Sequence, residues 1–314
     1  MSASSPLRIG TRGSPLALAQ AHQVRDLLIA GDAALGEEGA MEIVVIKTTG
    51  DAILDKPLAE VGGKGLFTKE IDEAMLDGRI DLAVHSMKDV PTWLPDGIVL
   101  PCVLEREDTR DAFISNKAKS LSDLPEGSVI GTAALRRQAQ ILHRRPDLKV
   151  ITFRGNVQTR LRKLEEGEVD ATLLALAGLN RLGRADVAAS IISKDEILPA
   201  VGQGAIALTC RGGDARCLAL LEILNHVETL TCVTAERVFL EVLDGSCRTP
   251  IAGQAEIRGG ELHFHGLIAR PDGSELLETT RTGAPGDGAR LGRDAGEELK
   301  ARAGSGFLDP PSGS

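Results

Sequence analysis

An acidic and a basic residue stand side by side at the end of one short apolar segment. Residues 81–91 alternate apolar with smaller or polar side chains and close with Lys88-Asp89-Val90-Pro91. We predict a buried strand that ends in a loop, because proline cannot continue the hydrogen-bonded ladder of a sheet. At the carboxyl end of a strand in an α/β sheet, a carboxylate can stabilise a charge that develops during a reaction. The alternative is that Asp89 caps a helix or pairs with Lys88 in solvent.

Arginine is concentrated at the ends of other predicted strands. Arg12 and Ser14 lie where a strand at residues 7–10 turns into a helix, with Ser14 as its cap and proline next. Arginine returns at or near three later strand ends, including Arg154 and Arg181. Free amides at a helix N-terminus favour anions, and the planar guanidinium group binds carboxylates with two hydrogen bonds. Together these positions indicate a small ligand that carries several carboxylates.

A solvated helix surface is the alternative explanation for these arginines, since exposed ion pairs contribute only ~0–1 kcal/mol. It explains the basic side chains that we place on helix faces, namely Arg144, Arg145, Arg162 and Lys163. It does not explain Arg12, Arg154 and Arg181, which we place at turns. We therefore favour the polyanionic ligand.

The composition argues against several classes of function. The 314 residues carry a formal net charge of −9 and only 2% aromatic side chains. Proteins that bind nucleic acid or membranes depend on surplus lysine and arginine, and single-strand binders also on aromatic stacking. No apolar run approaches the ~20 residues of a membrane-spanning helix. We therefore expect neither nucleic acid nor a membrane as a partner.

The cysteines and the N-terminal residues indicate a cytoplasmic protein that holds no metal. The five cysteines form no Cys-x-x-Cys pair and no zinc-like spacing, and residues 1–6 lack the basic and apolar regions of a signal peptide. Cys247 follows a predicted helix within a Gly-Ser-Cys-Arg turn, which suggests an exposed thiol. The alternative is burial, which is the usual state of a free cysteine. Burial suits the other four: Cys102, Cys210, Cys217 and Cys232.

The elements that position these residues form two successive β-α patterns and a different C-terminal third. Three antiparallel strands at 251–257, 261–269 and 275–282 precede a final helix, which predicts an α/β protein with a smaller α+β part. Residues 95–101 and 104–108 are interpreted as an exit from the first pattern, and residues 171–177 as one apolar strand. The polar, glycine-rich segment 48–65 is predicted to be a mobile loop over a site.

Seven segments match one protein family in the right order. They include Arg-Ile-Gly-Thr-Arg-Gly-Ser-Pro-Leu-Ala-Leu at 8–18, Leu-Arg-Arg-Gln at 135–138 and Gly-Ser-Cys-Arg-Thr-Pro at 245–250. The others are residues 62–67, 81–91, 154–157 and 199–204. On these segments the sequence resembles the hydroxymethylbilane synthases, also called porphobilinogen deaminases. The resemblance covers nearly the whole chain, and the segments are highly specific as a set.

The resemblance implies a fold of two similar α/β domains, like those of periplasmic binding proteins, with a cleft between them. A smaller α+β domain with a three-stranded antiparallel sheet then carries the cofactor cysteine. The implied bounds are 1–104 with 200–226 for the first domain, 105–199 for the second and 227–314 for the third. A monomer is expected.

The implied reaction joins four porphobilinogen molecules head to tail, with release of ammonia, to give linear hydroxymethylbilane in haem and other tetrapyrrole biosynthesis. The implied cofactor is a dipyrromethane made from two substrate units and attached through a thioether to Cys247. Each pyrrole carries an acetate and a propionate group, so the substrate fits the predicted polyanionic ligand.

The resemblance also assigns roles to individual residues. Asp89 is the implied catalytic group, and Lys64 lies in the mobile loop. The implied cofactor-binding residues are Ser86, Lys88, Asp89, Thr132, Arg136, Arg137, Arg160 and Gly204. The implied substrate-binding residues are Arg12, Ser14, Arg154 and Arg181. No residue is assigned to a metal.

Two positions depart from the family pattern, and two other functions compete with the implied one. Ala133-Ala134 stand where many members have two serines, and Glu60 stands where some have lysine. The first competitor is a non-enzymatic two-domain binding protein for a small polycarboxylate, which the fold alone would equally support. The second is a phosphate-ester enzyme that uses Lys64 and its flanking glycines, although the sequence shows no metal-binding carboxylate cluster for it.

Overall fold

The computed structural model describes residues 6–52, 65–245, 249–304 and 306–308. The strands are β1 Leu7–Thr11, β2 Met41–Val45, β3 Leu82–Ser86, β4 Ile98–Val103, β5 Asp111–Ser115, β6 Val129–Gly131, β7 Lys149–Ile151, β8 Ala171–Ala175, β9 Ser190–Ile191, β10 Ile206–Arg211, β11 Ile251–Arg258, β12 Glu261–Ala269 and β13 Leu276–Gly283. The helices are α1 Pro15–Gly31, α2 Thr49–Ala52, α3 Lys69–Leu76, α4 Leu135–Arg144, α5 Val157–Glu165, α6 Leu176–Arg181, α7 Ala215–Leu224, α8 Val227–Val242 and α9 Gly288–Ala303.

The first sheet is mixed and has the strand order β2-β1-β3-β10-β4. β1 is parallel to β2 and β3, whereas β10 is antiparallel to β3 and β4. Leu82 and Val84 of β3 join a core that α1 and α7 complete on one face of the sheet. Ala83 joins a core that α3 completes on the other face. β3 is therefore buried on both faces, as expected for strands that helices cover from both sides.

The second sheet repeats this arrangement with the order β7-β6-β8-β5-β9. β6 is parallel to β7 and β8, whereas β5 is antiparallel to β8 and β9. In both sheets a carboxylate just before one strand, β3 or β8, bonds that strand to its parallel neighbour. Asp81 accepts from the backbone N–H of Arg8, and Asp170 accepts from that of Val129. The two sheets confirm the predicted pair of similar α/β patterns.

The C-terminal part is a separate three-stranded antiparallel sheet with the order β11-β12-β13. Helices α8 and α9 pack on it, and the rings of Phe239 and Phe264 meet edge to face at 5.0 Å in the core. The two helices approach closely at Gly292, where a Cβ atom would lie 2.1 Å from the carbonyl oxygen of Ala235. The predicted α+β C-terminal part is thereby confirmed.

The described residues group into two compact units. The first takes the described parts of 1–54, 62–106 and 205–230 and contains the first sheet. The second takes those of 107–204 and 231–314 and contains the other two sheets. The division into three domains, 1–104 with 200–226, 105–199 and 227–314, stays a prediction. Among the described helices, none alone has the length and apolarity of a membrane span, and only the bent pair α7 and α8, at 103°, meets that test jointly.

The structure corrects two interpretations of the sequence. Residues 98–103, which we took as part of an exit, form β4 and include Pro101. Proline is tolerated there because β4 lies at the edge of its sheet, and its register with β10 shifts between Leu208 and Cys210. The predicted strand 171–177 ends at Ala175, and α6 begins at Leu176. A continuous apolar run cannot distinguish a strand from a buried helix.

Substitution of Gly292 by alanine is expected to destabilise the C-terminal sheet and its helices. Overpacking of a well-packed core costs roughly 1–3 kcal/mol, and the added methyl group would clash with backbone that cannot easily move. Urea unfolding measures the effect. Gly286→Ala is the matched control, since a Cβ there meets nothing within 4 Å. Equal stability of the two variants would contradict the close approach of α8 and α9.

Candidate active site

The carboxyl ends of β1 and β3 bring together the first group of predicted site residues. Arg12 directly follows β1, and Asp89 ends the single 3-10 turn Met87–Asp89 that follows β3. One guanidinium nitrogen of Arg12, Nη1, lies 3.5 Å from Oδ2 of Asp89. The guanidinium carbon of Arg12 also lies 4.2 Å from the ring centre of Phe67. The arginine and the carboxylate predicted to serve one site therefore form an ion pair.

Two serines at the same strand ends have defined hydrogen bonds. Ser14 is the N-cap of α1, as predicted, and its Oγ accepts from the N–H of Ala17 at 3.3 Å. The Oγ of Ser86 lies 3.0 Å from Nε2 and 3.2 Å from Oε1 of Gln20. Gln20 is buried on α1 and was not among the predicted site residues. The signal for it was a polar residue on the apolar face of a predicted helix.

His85 lies one residue before Ser86 and is buried, with 5% of its surface exposed. Its Nε2 lies 3.1 Å from Oγ1 of Thr209 on β10. Burial, assisted by the positive charge of Arg12, lowers the pKa of His85 to about 4. His85 is therefore neutral near pH 7 and packs behind the strand end without adding charge to it.

In the second unit, Arg136 and Arg137 lie in the first turn of α4 and share one carboxylate. Both arginines are buried, and both donate to Asp111, the first residue of β5. Burial by itself raises the pKa of the Asp111 carboxyl, but the two guanidinium groups hold it well below its usual range. Asp111 was not a predicted site residue, because nothing in the local sequence links it to arginines 25 and 26 residues away.

The other predicted residues of the second unit lie near strand ends with backbone partners. Nε of Arg160 donates to the carbonyl of Gly155 at 2.9 Å, and Oγ1 of Thr132 accepts from the N–H of Ala134 at 3.2 Å. Arg154 follows β7, and burial lowers the pKa of its guanidinium group. Arg154 is thus buried and Arg160 half-buried, and guanidinium groups form strong charge-assisted hydrogen bonds with carboxylates.

Arg181 and Gly204 are in direct contact. Nη2 of Arg181 donates to the carbonyl oxygen of Gly204 at 2.7 Å, and burial lowers the pKa of Arg181. The φ angle of Gly204 is +89°, and a Cβ atom there would lie 2.4 Å from the carbonyl oxygen of Glu107, so only glycine fits. Arg181 is the last residue of α6, which corrects our placement of this residue at a turn.

Lys64 and Cys247 lie outside the described residues. The chain leading to Cys247 is described as far as Gly245, and Asp244 has a φ of 51°. Nζ of Lys300 donates to the carbonyl oxygen of Val242, so α9 caps the C-terminal end of α8. The attachment of a cofactor at Cys247 and the mobile loop around Lys64 stay predictions.

Comparison with known proteins identifies the family. A family model described as "Porphobilinogen deaminase, dipyromethane cofactor binding domain" matches residues 7–219, and one for the C-terminal domain matches residues 230–301. The chain belongs to the porphobilinogen deaminase family. This confirms the resemblance found in the sequence and the dipyrromethane cofactor that it implied.

Individual relatives from plants and bacteria agree with this family assignment. The chain is 64% identical to the chloroplastic porphobilinogen deaminase of Oryza sativa subsp. japonica, over 97% of this chain and 86% of that protein. It is 60% identical to the porphobilinogen deaminase of Nitrobacter hamburgensis, over 96% of this chain and 94% of that protein.

A comparison with solved structures finds the methionine-binding protein MetQ. It is 14% identical, with 69% of this chain and 89% of that one covered and a TM-score of 0.43.

His85 is expected to make the folded protein less stable as the pH falls from about 6.5 to about 4. In that range the unfolded chain binds a proton at this histidine and the folded chain does not. The free energy of unfolding therefore decreases as the pH decreases. The shift corresponds to about 3 kcal/mol from this residue. Urea unfolding of the wild type and of His85→Asn at several pH values measures it. Since all other titrating groups are common to both, parallel curves would contradict the assigned state of His85.

Proposed function

We propose that the protein joins four porphobilinogen molecules head to tail, with release of ammonia, into the linear tetrapyrrole hydroxymethylbilane. The observation that carries this conclusion is the match of both family domains, in order, to residues 7–219 and 230–301. Identities of 60–64% to proteins named porphobilinogen deaminase support the same reaction. The protein is accordingly a transferase of tetrapyrrole biosynthesis.

The chemistry of the donor groups fits both the substrate and the cofactor. Porphobilinogen and dipyrromethane carry an acetate and a propionate on each ring, and arginine binds such carboxylates through strong charge-assisted hydrogen bonds. Arg136, Arg137 and Asp111 together carry one net positive charge in buried surroundings. A buried excess of positive charge is suited to an anionic ligand. The dipyrromethane, when bound, supplies the pyrrole chain end to which substrate units are added.

We assign the remaining roles in agreement with the family resemblance. The residues that would hold the cofactor are Ser86, Lys88, Thr132, Arg136, Arg137, Arg160 and Gly204, and Cys247 would attach it. The residues that would bind incoming porphobilinogen are Arg12, Ser14, Arg154 and Arg181. Carboxylate clamps of this kind convert a collision into an oriented reaction.

Asp89 is the proposed catalytic group. When ammonia leaves porphobilinogen, positive charge develops on the pyrrole ring nitrogen, and a fixed carboxylate stabilises that charge. The ion pair with Arg12 at 3.5 Å supports this role because it holds the carboxylate in one place at the strand end. The carboxylate can also assist the movement of protons between substrate units.

The binding-protein alternative is not favoured, because the family match and the matched cofactor domain belong to an enzyme. We further propose a cytoplasmic monomer that contacts neither metal nor nucleic acid. Four buried free cysteines, Cys102, Cys210, Cys217 and Cys232, support a reducing compartment. Size-exclusion chromatography tests the monomer, and a dimer would contradict it.

Asp89→Asn is expected to lower turnover at least about 100-fold without unfolding the protein, since loss of one electrostatic stabiliser commonly has that effect. The measurement is the steady-state rate of hydroxymethylbilane formation, together with far-UV circular dichroism. Asp96→Asn is the control, an exposed carboxylate in the same unit that has no proposed role. Product formation by Asp89→Asn within a few-fold of the wild type would refute the role of this residue.

Cys247→Ser is expected to yield protein without the dipyrrole adduct and with a melting temperature several degrees lower, because a bound ligand stabilises the native state. Intact-protein mass spectrometry and thermal unfolding measure the two effects. Cys102→Ala is the control: it removes a buried thiol but should keep the adduct. An adduct that persists on Cys247→Ser would show that the attachment site lies elsewhere.

A further inference from the structure

Asp111 is one of the most completely satisfied carboxylates in the described part of the chain. It is 1% exposed and accepts from Nη2 of Arg136 at 2.9 Å and from Nε and Nη2 of Arg137 at 3.1 and 2.8 Å. A fourth contact comes from Nε2 of Gln203 at 2.9 Å. Every group in this cluster of Asp111, Arg136, Arg137 and Gln203, which we call the Asp111 cluster, is nine-tenths or more buried.

The shared carboxylate brings together two side chains that would otherwise diverge. Consecutive residues on an α-helix point about 100° apart, so Arg136 and Arg137 do not meet by helix geometry alone. Two like charges in a buried place also repel each other and are costly to remove from water. Asp111 offsets one of the two charges and gives both guanidinium groups the same anchor. The second charge stays uncompensated within the Asp111 cluster.

The Asp111 cluster is also bonded to three backbone segments of the same unit. Nη1 of Arg137 donates to the carbonyl oxygen of Leu173 on β8 at 2.9 Å. Nε2 of Gln203 donates to the carbonyl oxygen of Thr109 at 2.7 Å, next to β5. Nη1 of Arg136 donates to the carbonyl oxygen of Leu198 at 2.7 Å. The cluster is therefore bonded to both ends and to the middle of the stretch 107–204. The arginines are held by the backbone at 173 and 198, and Gln203 by the backbone at 109.

We propose that Asp111 is a positioning residue for the dipyrromethane cofactor. It fixes Arg136 and Arg137 in one orientation and leaves one net positive charge for a carboxylate of the cofactor, while Gln203 orients Asp111. This inference rests on the proposed function, because it takes Arg136 and Arg137 as cofactor-binding residues. The competing explanation is that the cluster only stabilises the second unit.

The test compares Asp111→Asn with two carboxylates that hold the fold away from the site. Asp81 also accepts from two arginines, Arg8 at 2.8 Å and Arg211 at 3.0 Å, but lies before β3, at the opposite end from Ser86. Asp170 occupies the corresponding position before β8 in the same unit as Asp111. Each protein is produced under the same conditions. Intact-protein mass spectrometry gives the ratio of cofactor-loaded to unloaded molecules, and urea unfolding gives the stability.

Asp111→Asn is expected to lower the loaded-to-unloaded ratio about tenfold or more, since charge-assisted hydrogen bonds to the arginines are lost. Asp81→Asn and Asp170→Asn are expected to lose stability but keep the wild-type ratio. A ratio for Asp111→Asn that falls no further than those of the two controls, at a similar loss of stability, would overturn the proposal.

A second variant covers the case in which Asp111→Asn does not fold. Gln203→Met removes the donor to Asp111 and leaves all charges in place, so it should lower the loaded ratio several-fold with an unchanged circular dichroism spectrum. Unchanged loading of Gln203→Met would then overturn the proposal. A wild type that carries no adduct and forms no product would overturn the proposed function itself, whereas a loaded wild type with equally loaded variants overturns only this inference.

Discussion

A buried guanidinium group must have an anionic or carbonyl partner, and this requirement shapes the candidate site. Removing a charge from water is costly unless the charge is paired and hydrogen-bonded. Arg136 and Arg137 meet the requirement through Asp111, and Arg181 through the carbonyl oxygen of Gly204. These fixed partners hold the arginines before any ligand arrives. Pre-organised charge of this kind is what makes carboxylate binding and charge stabilisation effective.

The two sheets have the same strand order but carry different chemistry at their strand ends. The first sheet presents a carboxylate, Asp89, with Arg12 beside it, whereas the second presents arginines that exceed their one buried carboxylate. The opposite ends of β3 and β8 are alike, since Asp81 and Asp170 each accept from the equivalent backbone N–H of the neighbouring strand, that of Arg8 in β1 and that of Val129 in β6. The shared strand order thus positions the strand ends alike in both sheets, and the residues at those ends differ in charge. The proposed reaction needs both an acidic group and a surplus of cations.

Local sequence patterns were sufficient for most of the fold and for the residues at strand ends. The Ser-Pro pair predicted the start of α1 with its Ser14 cap, and apolar alternation predicted β3. The three antiparallel strands were predicted close to their observed bounds. These patterns did not predict β4, where Pro101 is tolerated only because the strand lies at an edge. The pairing of Asp111 with Arg136 and of Gln20 with Ser86 could not be predicted, because each joins residues that only the folded chain brings together. The spacing of residues along the sequence predicts helices and strands, whereas tertiary contacts decide which charged groups share a partner.

Conversion of porphobilinogen by the purified wild-type protein tests the central claim most directly. Substrate consumption, ammonia release and formation of the tetrapyrrole are followed together in one reaction. The account predicts one ammonia for each porphobilinogen consumed and one hydroxymethylbilane for every four. Tight binding of porphobilinogen without release of ammonia would contradict it and would favour a protein that only binds polycarboxylates.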